Sequence, residues 1–506
     1  MSTRDIATGV TVVPIARRAS DYPLQRRFAV YGVACGLLGG ALFGSPLAGF
    51  SFLVLFVAVG ALWRRDEIPI LPFSIAFQWI AVSGGYLFLQ VTGRYPQYQS
   101  VGNLDLAVLL YLLGLLVLVG GIRVAFHFER LLKVGASLVR EEATSSHYSI
   151  HKLFFIVLII FAVDWLYPLN PVAISYNGAQ IIGAVLQFRY VFLGLLLLTA
   201  IRRRKGYHLA AVGLLYVLGP NLTSTFSHFK EFLILVLLIL LAEWRPWASG
   251  QKAHGKSRLL VIAGAALGLV LLPLAIIWVG VAKPLYRPAV LSGQVQGSQV
   301  SQVRAFTSIV SGGVGDLNWG QSFETLAART SGGTAYFSHV VERVPHLYPF
   351  ENGKLTQRAV SLTVRPRILF PGKDTSTSDS YLVTQYAGVE VAGSEEGVSV
   401  GLSYMAETYI DYGAPIMFVP IFLIGALVGF ASVALRAAAP SHRLFVIAAT
   451  ILFLFQFIGH ETALVKVLGG VLLTCIVFTV IFLLSGRWLH AFLLDGQHPR
   501  HTALRQ

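Results

Sequence analysis

Residues 105–127 read DLAVLLYLLGLLVLVGGIRVAFH, with only Asp105 and Arg123 carrying full charges. Crossing the hydrocarbon core of a bilayer takes roughly 20 mostly apolar residues, so this stretch predicts a transmembrane helix. Working outward, comparable runs recur at 28–44, 46–63, 69–90, 153–167, 179–200, 209–222, 230–244, 259–281, 412–435, 444–460 and 465–485, about twelve spans in all. The runs at 209–222 and 230–244 are short and flank the polar stretch Asn221–Glu231, so they also fit a partly re-entrant pair. Composition agrees. Of 506 residues 55% are hydrophobic and only 12% charged, about half the usual soluble share of roughly 25%. The mean hydropathy is +0.68. So few polar residues would leave a soluble fold of this length without a surface. The expected fold class is therefore an all-α polytopic membrane protein.

The net charge of +15 comes from 39 Lys+Arg against 24 Asp+Glu. With the N-terminus placed in the cytoplasm, basic residues cluster in the cytoplasmic segments: Arg17, Arg18, Arg26 and Arg27; Arg64 and Arg65; Arg130, Lys133 and Arg140; Arg202 to Lys205; Arg245 to Arg258; Arg436 and Arg443; Arg487 and Arg500. The opposite short loops hold little more than Arg94, Lys230 and Lys466. This positive-inside asymmetry predicts an even number of spans with both termini cytoplasmic, and it accounts for the charge without a nucleic-acid partner. No removable signal peptide is evident. Cys35 and Cys475, each inside an apolar run, argue against a disulfide framework or a thiolate metal site.

Four regions follow from this pattern: a membrane bundle over 1–281, an extracytoplasmic segment over 282–411, C-terminal spans over 412–485 and a cytoplasmic tail over 486–506. The segment Ala282–Asp411 is charge-dense but balanced, and carries apolar positions at helical spacing: Phe323, Leu326, Phe337, Val340, Val341 and Val344. Structureless loops of this length are uncommon, so an ordered, mostly helical subdomain of short helices is expected. Gly312-Gly313 and Gly332-Gly333 are the expected turns between them.

The chain shows no Walker loop, no GxGxxG after a strand, no GxSxG and no paired histidines with a glutamate, so no cofactor or metal is expected. Candidate chemistry falls in three places. The first is Val364-Arg-Pro-Arg-Ile-Leu-Phe-Pro-Gly-Lys373. Pro366 and Pro371 restrict Arg365 and Phe370 to extended backbone. Arg365, Arg367 and Lys373 are thereby presented on a stiff, non-helical segment suited to a phosphate or pyrophosphate; a basic loop touching headgroups is the plainer alternative. The second is Ser403, Glu407 and Asp411, spaced four apart on one helix face, with Tyr404 and Thr408 beside them. Glu407 could serve there as a general base on a sugar hydroxyl; a solvated face or an ion pair is the alternative. The third is the set of polar residues within or at the ends of spans: Asp164, Arg189, His228, Lys230, Glu231, His460, Glu461 and Lys466. Charges at membrane depth are costly and mark function or internal pairing, such as Asp164 with Arg189. Arg304 and Arg358 are further cations of the extracytoplasmic segment.

The layout and motifs resemble the Wzy-type oligosaccharide repeat-unit polymerases of bacterial envelopes. Pro366-Arg-Ile-Leu-Phe-Pro-Gly-Lys373 matches their loop pattern Pro-Arg-x-Leu-x-Pro-x-Lys, and Glu407-Thr-Tyr-Ile-Asp-Tyr-Gly413 matches the pattern that leads into their next span. Where many members have Gly/Ser-Ser-Arg, this chain has Ser227-His-Phe-Lys230, so Lys230 replaces the arginine. The resemblance implies a metal-independent glycosyltransferase of GT-C-like architecture in the bacterial inner membrane. Its substrates are polyprenyl-pyrophosphate-linked oligosaccharides joined at the periplasmic face, with a chain-length-regulating co-polymerase as a partner. It implies pyrophosphate contacts from Arg365, Arg367, Lys373, Arg189 and Lys230, catalysis by Glu407, and secondary roles for Arg304, Arg358, His460 and Glu461. An O-antigen ligase shares the layout. A lipid-linked-oligosaccharide flippase or transporter, or a non-catalytic assembly protein, is the alternative from another class.

Overall fold

The computed structural model describes residues 22–64, 68–96, 101–131, 148–166, 188–222, 229–243, 269, 272–295, 299–365, 370, 379–391, 399–437, 451 and 462–494. Among them there is no strand, only an isolated bridge between Tyr148 and Leu494. The first half of the chain forms α1 (Tyr22–Phe43), α2 (Pro46–Leu62), α3 (Ile70–Thr92), α4 (Leu104–Leu131), α5 (Ile150–Leu166), α6 (Phe188–Arg203), α7 (Tyr207–Leu222) and α8 (Phe229–Glu243). A π-helical turn (Trp278–Ala282) then runs into α9 (Lys283–Leu291), followed by α10 (Gln299–Gly313), α11 (Trp319–Arg343) and α12 (Lys354–Val364). The short α13 (Asp379–Leu382) continues as a second π turn (Val383–Ala387), and α14 (Tyr404–Tyr412), α15 (Phe418–Ala437) and α16 (Leu464–Leu493) follow among the described residues.

Among the described residues, four helices are long and apolar enough to cross a membrane: Ile70–Thr92, Leu104–Glu129, Phe418–Leu435 and Leu464–Leu493. Pro46–Leu62, Ile150–Ala162 and Tyr207–Leu218 are shorter apolar helices. The protein is thus a helical, membrane-embedded chain associated with the lipid bilayer. The expected span at 444–460 lies almost wholly outside the described residues.

Lipid offers little hydrophobic drive for helices to associate, so close packing has to come from small residues. In α15, Gly425 and Gly429 form a GxxxG pair against α4. A Cβ on Gly425 would strike the Leu118 carbonyl carbon at 2.9 Å, and one on Gly429 would meet the Ile122 carbonyl oxygen at 2.9 Å. Gly121 of α4 meets α15 backbone in return.

The same logic corrects one expectation. Gly312-Gly313 does end α10, but Gly332-Gly333 lies in the middle of the 25-residue α11. The run Thr330-Ser-Gly-Gly-Thr-Ala335 is nearly all small, and residues 331–335 are buried. It makes a smooth face that packs on α3 and α4. Tyr95 donates to the Ser331 carbonyl at 3.0 Å, Thr334 to the Ala81 carbonyl at 3.3 Å, and the Gly102 N–H to Ser338 Oγ at 3.1 Å. The 282–411 segment is therefore not made of short helices alone. Its longest helix is inserted against two of the membrane helices. Phe337, Val340, Val341 and Val344 are buried as the spacing predicts, whereas Phe323 is exposed.

Because the α4–α15 contact is backbone on backbone, neither side can yield to a larger residue. Gly425→Leu is expected to cost about 1–3 kcal/mol or more, the range of overpacked cores. Thermal unfolding of the purified protein in detergent checks this; an unchanged midpoint would show that the two helices do not meet at Gly425.

Candidate active site

The site is built on α14, a nine-residue helix whose residues 404–411 are all buried. Ser403 begins it with φ +106°, a strained value for a residue other than glycine. Its Oγ accepts from the Ala406 N–H at 3.2 Å and shares a 2.6 Å hydrogen bond with Tyr111 of α4. The next residue, Tyr404, donates to Gln78 Oε1 of α3 at 2.9 Å, and its N–H donates to the Thr462 carbonyl at 2.9 Å. Thr408 closes on the Met405 carbonyl at 2.8 Å. Both polar rows are buried rather than solvated, and Ser403 and Tyr404 dock α14 onto α4 and α3.

Glu407 and Asp411 lie one turn apart and each meets the N-terminus of a different helix. Asp411 accepts from the Leu355 N–H (3.0 Å), the Thr356 N–H (2.7 Å) and Thr356 Oγ1 (2.6 Å), so it caps α12 from outside. Helix N-termini leave unsatisfied N–H groups and a partial positive charge that a carboxylate complements. Asp411 is saturated by these donors. Among the described residues Glu407, 4% exposed, accepts a single hydrogen bond, 3.3 Å from the Leu464 N–H at the start of α16. Burial pushes its carboxyl up to about 8. The Leu464 N–H opposes that rise, the charges of Asp379 and Asp411 add to it, and the Lys466 charge opposes it. Glu407 therefore holds a proton close to neutrality, in reach of either direction of transfer.

The neighbouring charges come from two further elements. Buried Asp379, at the start of α13, pairs with Lys466 in the first turn of α16 and accepts from Ser399 at 3.0 Å. Ser380 Oγ accepts from the Val400 N–H at 3.0 Å, pinning the same corner. Asp379 and Ser399 were not singled out by sequence reasoning, because nothing in their spacing distinguishes them from other loop residues. Lys466 was, as one of the charges at the ends of spans.

The remaining candidates divide. Arg365 ends α12 at φ −97°, ψ 90°, the extended geometry expected before Pro366. It is exposed, as is Arg358 on the same helix. Since α12 packs on both α14 and α16, these two cations and Glu407 belong to one part of the molecule. Arg304 is exposed on α10, which packs instead against α7, α9 and the first π turn. Arg189 opens α6 with its guanidinium over the rings of Tyr190 (4.9 Å) and Phe161 (5.6 Å). These contacts place it with α5. Lys230 lies at the start of α8. Arg367, Lys373, His460 and Glu461 lie outside the described residues, as do the side chains of Asp164 and Lys230. Among the described residues no three His, Cys, Asp or Glu side chains converge to hold a metal ion.

A family model for a domain of unknown function, DUF8712, matches residues 98–485. The chain belongs to that family, and the match runs from α4 into α16, taking in Glu407, Asp411, Asp379 and Lys466 but not α3. No curated protein and no solved structure matches the chain.

The raised Glu407 carboxyl has a consequence for stability. Its proton is held more tightly in the folded than in the unfolded chain, where a glutamate sits near 4.3. The group's contribution is therefore full below about pH 4.3 and is lost as pH rises through the folded value of about 8. Glu407→Gln keeps an acceptor for Leu464 but has no proton to lose. Between about pH 5 and about pH 9 the wild-type unfolding midpoint should fall more steeply than that of Glu407→Gln. Parallel curves would show that Glu407 is already ionised.

Proposed function

We propose that the protein is a membrane glycosyltransferase that polymerises polyprenyl-pyrophosphate-linked oligosaccharide units into a surface polysaccharide. In this reading the growing chain leaves its pyrophosphate carrier, and a hydroxyl of the next lipid-linked unit takes its place. Glu407 accepts the hydroxyl proton, while Arg365, Arg367 and Lys373 bind the departing pyrophosphate. A chain-length-regulating partner would act on the same complex.

One observation supports this most. The described residues on either side of the basic stretch both rest on the first two turns of the helix that Glu407 caps. Thr363, at the end of α12, is the neighbour of Gly469, and Asp379 is paired with Lys466. The described residues that flank the stretch, Thr363 and Asp379, are thereby held on the helix whose N-terminus meets a buried carboxyl poised near neutrality. A proton acceptor works best when its affinity lies near the working pH, and cations fixed in advance stabilise a leaving group without reorganising. The donor carries its own activation, so no nucleotide is required.

In cells, Arg367→Ala and Glu407→Gln at matched membrane levels should each shorten the polymer. The expected loss is about 10²–10³ in rate for removal of one preorganised contact. In membranes, the elongation rate should climb with pH and level off above about 8. Deletion of the gene should leave single lipid-linked units. Normal polymer from both variants would refute the site, and unchanged lipid-linked products on deletion would refute the activity.

The reading also requires about twelve spans in the inner membrane, both termini cytoplasmic and the 282–411 segment outside. A reporter fused at Gly353 should give an extracytoplasmic signal and one at the C-terminus a cytoplasmic signal. A cytoplasmic signal at Gly353 would separate Glu407 from any periplasmic donor.

A further inference from the structure

The last residue of α11, Arg343, is clamped in place without an acceptor for its donors. Its guanidinium stands over the Tyr348 ring, 5.6 Å from the ring centre. On another side it meets Gly388, which closes the second π turn; a Cβ there would lie 2.5 Å from Arg343 Nη1. Among the described residues this guanidinium makes no hydrogen bond and no ion pair, and its Nε is buried without a partner. Buried polar atoms nearly always have one, and a guanidinium carries five donors and keeps its charge at any working pH. The adjacent Glu342 points along another face of the helix and lies 3.9 Å from His339 Nδ1.

The neighbours of Arg343 define the kind of acceptor that fits. The Tyr348 ring meets that of Tyr386 at 5.8 Å, and Tyr386 donates to Glu351 Oε1 at 2.9 Å. Lys354 donates to the other oxygen of Glu351 at 2.8 Å. These two hydrogen bonds, that of Lys354 first, hold the Glu351 carboxyl below the usual carboxylate range. An ionised carboxylate has about four acceptor positions, so Glu351 can still take hydroxyl donors. Tyr381 of α13 is 54% exposed and close enough to act electrostatically on the Tyr386 hydroxyl. A bare phosphate would use only the cation of this set. A sugar bearing a carboxylate uses all of it: the guanidinium fork for the carboxylate, Glu351 for hydroxyls and an exposed ring for the apolar sugar face. The chain that carries the cluster is tied to α14. Tyr409 donates to the Val344 carbonyl at 3.3 Å, and the N–H groups of Glu351 and Asn352 donate to the carbonyls of Ile410 and Asp411 at 3.0 and 2.9 Å. The cluster therefore flanks the C-terminal end of the helix that carries Glu407.

We propose that Arg343, Glu351 and Tyr381 form a subsite for an acidic sugar, with Arg343 gripping its carboxylate, Glu351 accepting from its hydroxyls and Tyr381 covering its apolar face. Tyr348 and Gly388 are positioning residues that hold the guanidinium. The proposal rests on the polymerase reading only for the source of the ligand, a uronic acid within the repeat unit.

The full-length protein in detergent, titrated with glucuronate and with glucose, provides the test. Binding is read as saturation transfer to the sugar protons and as the ligand-induced rise in unfolding temperature. Each rise is taken against the same variant without ligand, so a variant of lower intrinsic stability can still be read. Wild type should bind glucuronate more tightly than glucose. Arg343→Gln should weaken glucuronate about 10–100-fold, the loss of a charge-assisted contact, and bring it level with glucose. Arg343→Lys should also weaken it, because an ammonium offers no fork. Lys205→Gln, which removes an exposed cation at the end of α6, should bind as wild type does. No glucuronate binding by wild type, or equal binding by wild type and Arg343→Gln, would overturn the proposal. Competition by acetate or inorganic phosphate as strong as that of glucuronate itself would reduce the cluster to an anion site and overturn the sugar assignment. Binding is measured without turnover, so its loss in Arg343→Gln would sustain the subsite even if deletion of the gene left lipid-linked products unchanged, a result that refutes the activity alone.

Discussion

The C-terminal half of the molecule depends on two carboxylates one turn apart on a buried helix. Burying a carboxyl is costly unless donors meet it, and α14 meets that condition with the N-termini of α12 and α16. The two positions are not equivalent. Three donors saturate Asp411, which makes it a structural cap. Glu407 has one long hydrogen bond, with a buried aspartate and a lysine close enough to act on it. The same geometry that fastens three helices together thus leaves one of its acids holding a proton near neutrality, and it is this inequality that turns a structural joint into a candidate catalytic centre.

The joint is stable because what surrounds it is close-packed through small residues. Glycines let α15 lie backbone to backbone on α4, and the Ser-Gly-Gly-Thr-Ala run lets α11 press against α3 and α4. Tyr111, Gln78, Tyr95 and Ser338 then supply hydrogen bonds across these contacts. The helices of the 282–411 segment and the membrane helices consequently share one interior.

Much of this was legible in the residues. Long apolar runs require helices in lipid, because every backbone polar group there must be satisfied within the segment. The existence of α3, α4, α15 and α16 therefore follows from composition and length. The four-residue spacing of Ser403, Glu407 and Asp411 placed them on one helical face, and Pro366 forced Arg365 out of the helix; both are local consequences of backbone geometry.

Other features had no local signal. The Gly332-Gly333 pair reads as a turn because glycine breaks isolated helices; only the presence of α3 and α4 alongside makes it a packing surface. Asp379 and Ser399 resemble any loop residues until the fold carries them to Lys466. The sequence by itself determined where the chain must be helical, which stretches belong in lipid and which acids share a face, because these depend on periodicity and on neighbours along the chain. Which acid is saturated and which keeps its proton was decided by the tertiary structure, because that depends on how many donors arrive from helices distant in sequence.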